Sequence, residues 1–124
     1  MGNVKILVVE DDSFLLQMYT TKLETENFEV LTALSGEEAL RVVKKEHPAL
    51  ILLDLNLPEV DGFTVLEELK SKDETKDIPV IVLTNFSNKE DINRCLDLGA
   101  ADYLIKAHFV PAEVIEKVKK VLAK

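Results

Sequence analysis

Cysteine is nearly absent from this chain: Cys95 is the only one among 124 residues. A single cysteine excludes an internal disulfide framework and a zinc site built from several cysteines. It also suits a reducing compartment, so we expect a cytoplasmic location. Cys95 falls on an apolar helical stripe, and we expect it to pack rather than to undergo redox chemistry.

Long hydrophobic runs and an excess of basic charge are also missing. No apolar run approaches the roughly 20 residues that cross a bilayer, so we expect neither a membrane segment nor a signal peptide. Asp and Glu outnumber Lys and Arg by 23 to 15, which gives a formal net charge of -8. Such a chain repels nucleic acids and anionic membranes, and a basic protein or a metal ion suits it better.

The length and the apolar content fit one domain. With 124 residues, of which 47% are hydrophobic, the chain can bury a core without disulfides or metal. We therefore expect a single domain over residues 1–124.

Apolar runs alternate with helical patterns along this domain. Runs without polar residues are typical of strands that are covered on both faces. The predicted strands, three strong and two weaker, are 6–9, 29–33, 50–53, 80–83 and 102–105. A segment with apolar residues at helical spacing follows each of them. Five such units predict an α/β fold with a parallel sheet and right-handed crossovers.

Helix boundaries can be predicted at three places. Ser35 with Glu38, and Ser87 with Glu90, have the capping-box spacing that satisfies free amides at a helix start. Gly99 follows the fourth helical segment, where a left-handed cap is expected.

Polar side chains follow four of the five predicted strands. They are Glu10, Asp11, Asp54, Thr84 and Lys106. Ligands of an open parallel sheet bind beyond the carboxyl ends of its strands, so these groups should converge. Three carboxylates and one lysine sum to a charge of -2. One Mg2+ would cancel this charge, and oxygen ligands suit such a hard cation.

Asp54 directly follows the apolar run 50–53, a position that suits a nucleophile. A carboxylate can attack phosphorus to form an acyl phosphate, while a metal, an ammonium group and a hydroxyl stabilise the charge. The competing interpretation is that acidic residues after a strand cap the next helix and face water, and it is strongest for Asp12.

On these motifs the chain resembles the receiver domain of two-component response regulators over essentially its whole length. The shared features are the run 6–9 followed by Glu10 and Asp11, then Asp54 with Pro58 and Gly62, Thr84 closing a strand, and Tyr103 before Lys106. The spacings of 30 residues from Asp54 to Thr84 and of 52 residues from Asp54 to Lys106 are also similar.

The resemblance implies a flavodoxin-like (βα)5 fold, in which a parallel sheet of order 2-1-3-4-5 lies between two helix layers. It also implies that Asp54 accepts a phosphoryl group from a phosphohistidine on a histidine kinase or histidine phosphotransfer protein. The reaction would require Mg2+, held by Asp11, Asp54 and the backbone carbonyl of Asn56, with Glu10 reaching the ion through water.

The resemblance further implies how the chain would signal. Thr84 and Lys106 would bind phosphoryl oxygens, and movement of the Thr84 hydroxyl would let Tyr103 swing inward. This movement would bias a two-state surface on the fourth helix, fifth strand and fifth helix. That surface would contact a downstream protein or a fused output domain, or form a homodimer. The donor would dock near residues 14–18.

Three positions depart from the family pattern. Ala107 follows Lys106 where proline is common, so we expect a different loop there. Asn85 is larger than the usual small residue and would narrow the approach to the phosphoryl group. Phe86 occupies a position that tunes the access of water to the acyl phosphate, and we predict that its apolar side chain prolongs the phosphorylated state.

Two other functions compete with this signalling switch. A receiver-shaped module that binds proteins without phosphate is disfavoured by the intact Asp54, Thr84 and Lys106. A phosphatase of the haloacid dehalogenase type would want a second aspartate two residues after its nucleophile, where this chain has Asn56. We therefore expect a switch that catalyses only its own phosphorylation and dephosphorylation. Both a stand-alone regulator and a receiver within a longer polypeptide fit the sequence.

Overall fold

The computed structural model describes residues 3–124, in which five strands alternate with five α-helices. The strands are β1 (Lys5–Val9), β2 (Glu29–Ala33), β3 (Leu50–Leu53), β4 (Val80–Thr84) and β5 (Asp102–Ile105). The helices are α1 (Ser13–Thr25), α2 (Gly36–Glu46), α3 (Gly62–Ser71), α4 (Lys89–Leu98) and α5 (Pro111–Leu122). Within this part of the chain, no helix combines the length and the apolar character that spanning a membrane requires.

The five strands form one parallel sheet in the order β2-β1-β3-β4-β5. This confirms the predicted flavodoxin-like order. From β1 the chain continues to β2 on one side, whereas β3 leads to β4 and β5 on the other. The strand order therefore reverses between β1 and β3, and the carboxyl ends of these two strands flank the crevice where ligands of such sheets bind.

Helices cover both faces of the sheet, which explains why the central strands are apolar along their whole length. On β1, Ile6 and Val8 belong to a core shared with α1 and α5, whereas Leu7 and Val9 belong to a core shared with α2, α3 and α4. Cys95 of α4 lies fully buried in the second core. Burial raises the pKa of its thiol to about 11, so the group packs as an apolar side chain, as its position on the stripe predicts.

The start of α2 has the reciprocal contacts of a capping box, with one change. The hydroxyl of Ser35 accepts a hydrogen bond from the amide of Glu38 at 3.1 Å, as predicted. The carboxylate of Glu38 accepts from the amide of Leu34, one residue before the cap, at 2.7 Å. The end of α4 also agrees with its prediction, since Gly99 has a φ of 107° in the left-handed region.

The predicted cap of α4 is wrong by one residue. The capping side chain is Asn88, not Ser87, and its Oδ1 accepts from the amide of Asp91 at 2.9 Å. Asparagine and serine are about equally good caps. Two adjacent capping residues therefore do not show by themselves where the helix begins.

The loop after β5 begins with a short 3-10 turn at Lys106–His108, in which the amide of Phe109 donates to the carbonyl of Lys106 at 3.3 Å. This turn was not predicted. No peptide bond among residues 3–124 is cis, so Ala107 follows Lys106 through a trans bond.

The cap of α4 can be tested by two neighbouring substitutions. Asn88→Ala should lower the free energy of unfolding by about 1 kcal/mol, because the amide of Asp91 loses its partner. Ser87→Ala should change it by less than about 0.5 kcal/mol. Urea unfolding followed by circular dichroism measures both, and a larger loss from Ser87→Ala would contradict the observed cap.

Candidate functional site

A pocket of about 320 Å3 opens at the carboxyl ends of β1, β3, β4 and β5. Its lining includes Glu10, Asp11, Asp54, Asn56, Thr84 and Lys106. A groove of about 390 Å3 lies between α2 and α3, but its lining is apolar side chains and exposed charges without a cluster of carboxylates. The polar groups predicted to converge are therefore in the pocket at the sheet edge.

Three carboxylates meet on one side of this pocket. One carboxylate oxygen from each of Glu10, Asp11 and Asp54 lies within 4.8 Å of the others. Val9 and Leu53 are directly paired in the sheet, so the residues that follow them emerge side by side. Glu10 and Asp54 are 3% and 5% exposed. Carboxylates this close repel each other, and their oxygens are the ligands that a hard divalent cation prefers.

Lys106 supplies the positive charge that the structure places among these acids. Its Nζ donates to Oε1 of Glu10 at 2.5 Å and to Oδ2 of Asp54 at 2.9 Å. Burial by itself would lower the pKa of Lys106, but the hydrogen bonds to the two carboxylates outweigh burial and raise it. The side chain is therefore held as an ammonium ion. One ammonium offsets one of three negative charges, and the remaining -2 matches a divalent cation.

The pKa of Glu10 shows the cost of burying a carboxylate next to other acids. Burial raises the pKa of Glu10, and the nearby charge of Asp54 adds to the rise. The hydrogen bond from Lys106 opposes the rise without cancelling it. The pocket thus holds a carboxylate whose charge is stabilised less well than in water, which favours binding of a further cation.

Both carboxylate oxygens of Asp54 have hydrogen-bond donors. Oδ1 accepts from the backbone amide of Asn56 at 3.1 Å, and Oδ2 accepts from Lys106. These two bonds fix the orientation of the carboxylate at the end of a buried strand. The contact with Asn56 was not foreseen, because a backbone amide has no signature in the sequence.

Asp12 behaves as the competing interpretation predicted. It is exposed, and its Oδ1 accepts from the amides of Phe14 and Leu15 at 2.9 and 3.1 Å. Its own amide donates to Oε2 of Glu10 at 3.1 Å. Asp12 therefore caps α1 and helps to orient Glu10.

Thr84 and Tyr103 are joined through the backbone of Phe86. The amide of Phe86 donates to Oγ1 of Thr84, which is fully buried, at 3.4 Å. The carbonyl of Phe86 accepts from the hydroxyl of Tyr103 at 2.8 Å. Thr84 lines the pocket, whereas Tyr103 lies outside it and packs against the core. The resemblance implies that these two residues act in one switch, and it gives Phe86 a role in water access but not as the link between them.

With this geometry in place, the class of protein is defined: a flavodoxin-like sheet of order 2-1-3-4-5 with an acidic pocket between its central strands. Residues 6–119 match the family model described as response regulator receiver domain. The chain belongs to this family, and its resemblance to receiver domains is confirmed.

The curated relatives of the chain are named as transcriptional regulators. It is 42% identical over 118 residues to the transcriptional regulatory protein PrrA of Mycobacterium tuberculosis, covering 95% of this chain and 49% of that protein. It is 39% identical over 122 residues to the probable transcriptional regulator ycf27 of Porphyridium aerugineum, covering 98% and 49%. The chain spans about half the length of the curated relatives it matches.

The fold is also similar to solved structures. A CheY-like response regulator receiver domain protein from Methanospirillum hungatei superposes with a TM-score of 0.92 at 30% identity, covering 98% of this chain and 95% of that one. The structural similarity and the family match therefore both indicate a response regulator receiver domain.

The half-buried phenol of Tyr103 should titrate at an unusually high pH. Burial raises its pKa to about 12, and burial also raises the pKa of Tyr19. We expect the folded chain to show little phenolate absorbance near pH 10, where unfolded tyrosine titrates. Because the unfolded chain loses these protons first, stability should fall as pH rises between about 10 and 12.

Ultraviolet absorbance in buffer and in concentrated urea measures this difference, with Tyr103→Phe to assign the signal. If the folded chain released one full tyrosine proton near pH 10 and Tyr103→Phe abolished that release, the raised pKa of Tyr103 would be wrong.

Proposed function

We propose that this chain is the phosphoacceptor of a two-component phosphorelay, in which Asp54 receives a phosphoryl group from a phosphohistidine on a kinase or phosphotransfer protein. The observation that carries the proposal is the fixed carboxylate of Asp54, bonded to Asn56 and Lys106 in an acidic pocket. A structural acid at a helix start would not need a buried ammonium group from a strand end 52 residues away.

The residues of the pocket fit Mg2+. Asp11, Asp54 and the backbone carbonyl of Asn56 would hold the ion, with Glu10 reaching it through water. When bound, the ion supplies positive charge that balances the carboxylates and the phosphoryl oxygens. The three clustered carboxylates support this assignment, because their oxygens are hard ligands and one ammonium group leaves their charge uncompensated.

In the proposed transfer, a carboxylate oxygen of Asp54 forms a bond to phosphorus as the bond from phosphorus to the donor histidine nitrogen breaks. Lys106 is already within hydrogen-bond distance of Oδ2 of Asp54, so its ammonium group is positioned to bind an oxygen of the transferred group. Thr84 would donate its hydroxyl hydrogen to another phosphoryl oxygen. Movement of the hydroxyl toward the phosphoryl group would change its distance from the amide of Phe86 and so alter the link to Tyr103.

The docking surface that we propose for the histidine donor is the exposed face of α1, formed by Phe14, Gln17, Met18 and Thr21. Phe14 is 76% exposed, so its apolar side chain is accessible to a partner protein. Output would use the surface of α4, β5 and α5, where Tyr103 connects to the site. The relatives are named as transcriptional regulators, which supports a downstream or fused output module or dimerisation on this surface.

Intact-mass measurement after incubation with acetyl phosphate and Mg2+ tests the proposal directly. We expect one added phosphoryl group, about 80 Da, because the carboxylate of Asp54 is oriented for attack. The adduct should be absent in Asp54→Ala and without metal. It should persist in Asp97→Ala, which removes an exposed aspartate of α4.

An adduct that survives Asp54→Ala would place the phosphoacceptor elsewhere. If no adduct forms and beryllofluoride also fails to bind, the chain is instead a protein-binding module that works without phosphate.

Phe86 should control the lifetime of the phosphorylated state. Phe86 is one of the residues that line the pocket, and only its backbone joins Thr84 to Tyr103. Substitution of the side chain therefore leaves the capacity for both hydrogen bonds. Phe86→Glu should admit and orient water and speed loss of the phosphoryl group by about tenfold, which corresponds to about 1.4 kcal/mol of barrier.

The decay of the phosphorylated mass after removal of the donor measures this rate. Phe86→Leu, which keeps an apolar side chain, should decay at nearly the original rate. Equal rates for the Glu variant and the unchanged chain would show that Phe86 does not exclude water.

A further inference from the structure

Gly36, the first residue of α2, lies against the loop that follows β3. A Cβ atom built on Gly36 would lie 2.5 Å from the carbonyl oxygen of Val60 and 2.7 Å from Cγ2 of Val65. Both distances are well inside van der Waals contact, so any side chain here would force the neighbouring atoms to move. The helix and the loop meet backbone to backbone.

The backbone conformation does not require glycine at this position. Gly99 is the only glycine among residues 3–124 with a positive φ. At the start of a helix with an ordinary φ, alanine has the better helix propensity. The absence of a side chain at Gly36 therefore serves the close approach to Val60.

The contacted loop carries the proposed phosphoacceptor and a proposed metal ligand at its start. Asp54 ends the buried strand, and the amide of Asn56 donates to it. The loop has little slack, because Leu55 is buried and its carbonyl accepts from the amide of Gly62 at 3.0 Å. Glu59, next to Val60, has a φ of 62° in the left-handed region, a conformation that non-glycine residues adopt at a cost.

The other side of the α2 start is tied to β1. The carbonyl of Ala33, at the end of β2, accepts from the amide of Glu10 at 3.0 Å. The amide of Leu34 donates to Glu38, inside the first turn of α2. The turn between β2 and α2 thus connects the backbone of Glu10 on one side with Val60 on the other.

From these contacts we infer that Gly36 is a positioning residue for the site: without a side chain, it lets the first turn of α2 brace the loop from Asp54 to Asp61. The contact between Gly36 and the loop is an observation of geometry alone. That the loop holds a phosphoacceptor and a metal ligand rests on the proposed function. A side chain at Gly36 would push Val60 away from α2. It would thereby shift Asn56 relative to Asp54 and disturb the ligands proposed for Mg2+.

Calorimetric titration with Mg2+ tests the consequence for the site. Gly36→Ala should weaken Mg2+ binding by about tenfold, as expected when groups that orient metal ligands are disturbed. In metal-free solution, the amide nuclear magnetic resonance signal of Asn56 should also shift, because its bond to Asp54 changes.

Two controls separate the brace from ordinary loss of packing. Val43→Ala removes a buried side chain two turns further along α2, where Val43 lines the groove with Leu69 and Thr75. It should lower stability but leave Mg2+ affinity and the Asn56 signal unchanged. Val65→Ala removes the side-chain atom Cγ2 that a Cβ at position 36 would meet, so the double variant Gly36→Ala with Val65→Ala keeps only the clash with the carbonyl of Val60.

Weak Mg2+ binding in both variants that contain Ala at position 36, with normal binding in Val43→Ala and Val65→Ala, would support the brace. Normal Mg2+ binding in Gly36→Ala would overturn the inference. Recovery of binding in the double variant would also overturn it, because the fault in Gly36→Ala would then be overpacking against Val65. If the unchanged chain bound no Mg2+, the proposed metal site would fail. The metal-free Asn56 signal would still decide whether Gly36 positions the loop.

Discussion

The ammonium group of Lys106 is the contact on which the pocket depends. It lies between two carboxylates that are almost fully buried, Glu10 from the end of β1 and Asp54 from the end of β3. Without this group, the two buried carboxylates would keep only backbone amides as partners, and the cost of burying their charges would be poorly compensated. The ammonium therefore makes it possible for a carboxylate to be both buried and ionised at the end of a central strand.

One ammonium group among three carboxylates leaves a net negative charge in the pocket. This charge favours the binding of a cation. Glu10 is held with a raised pKa despite its bond to Lys106. The same oxygens that repel each other are those that a hard cation binds. In the proposed transfer, a phosphoryl group would add further negative charge beside them, so metal binding and phosphoryl binding would share one electrostatic balance.

The link from the pocket to the outer surface passes through a backbone. Phe86 receives a hydrogen bond from Tyr103 on its carbonyl and donates one to Thr84 from its amide. In the proposed switch, a change at the Thr84 hydroxyl would reach Tyr103 through these two hydrogen bonds. Neither bond uses the side chain of Phe86, so that side chain can serve a separate purpose.

Much of this protein is determined by local pattern in the sequence. The bounds of β2, β3 and β5 were predicted without error. The uninterrupted apolar run of β3 is buried throughout, as such a run indicates, whereas β2 and β5 are edge strands with only one buried residue each. The gathering of Glu10, Asp11 and Asp54 also followed, because residues after adjacent parallel strands emerge side by side.

Tertiary structure decided which atoms pair. Lys106 meets Glu10 across 96 residues of chain, Phe86 bonds through backbone atoms, and Gly36 matters for the side chain it lacks. Such contacts depend on distances set by the packed fold, and no residue type or spacing encodes them.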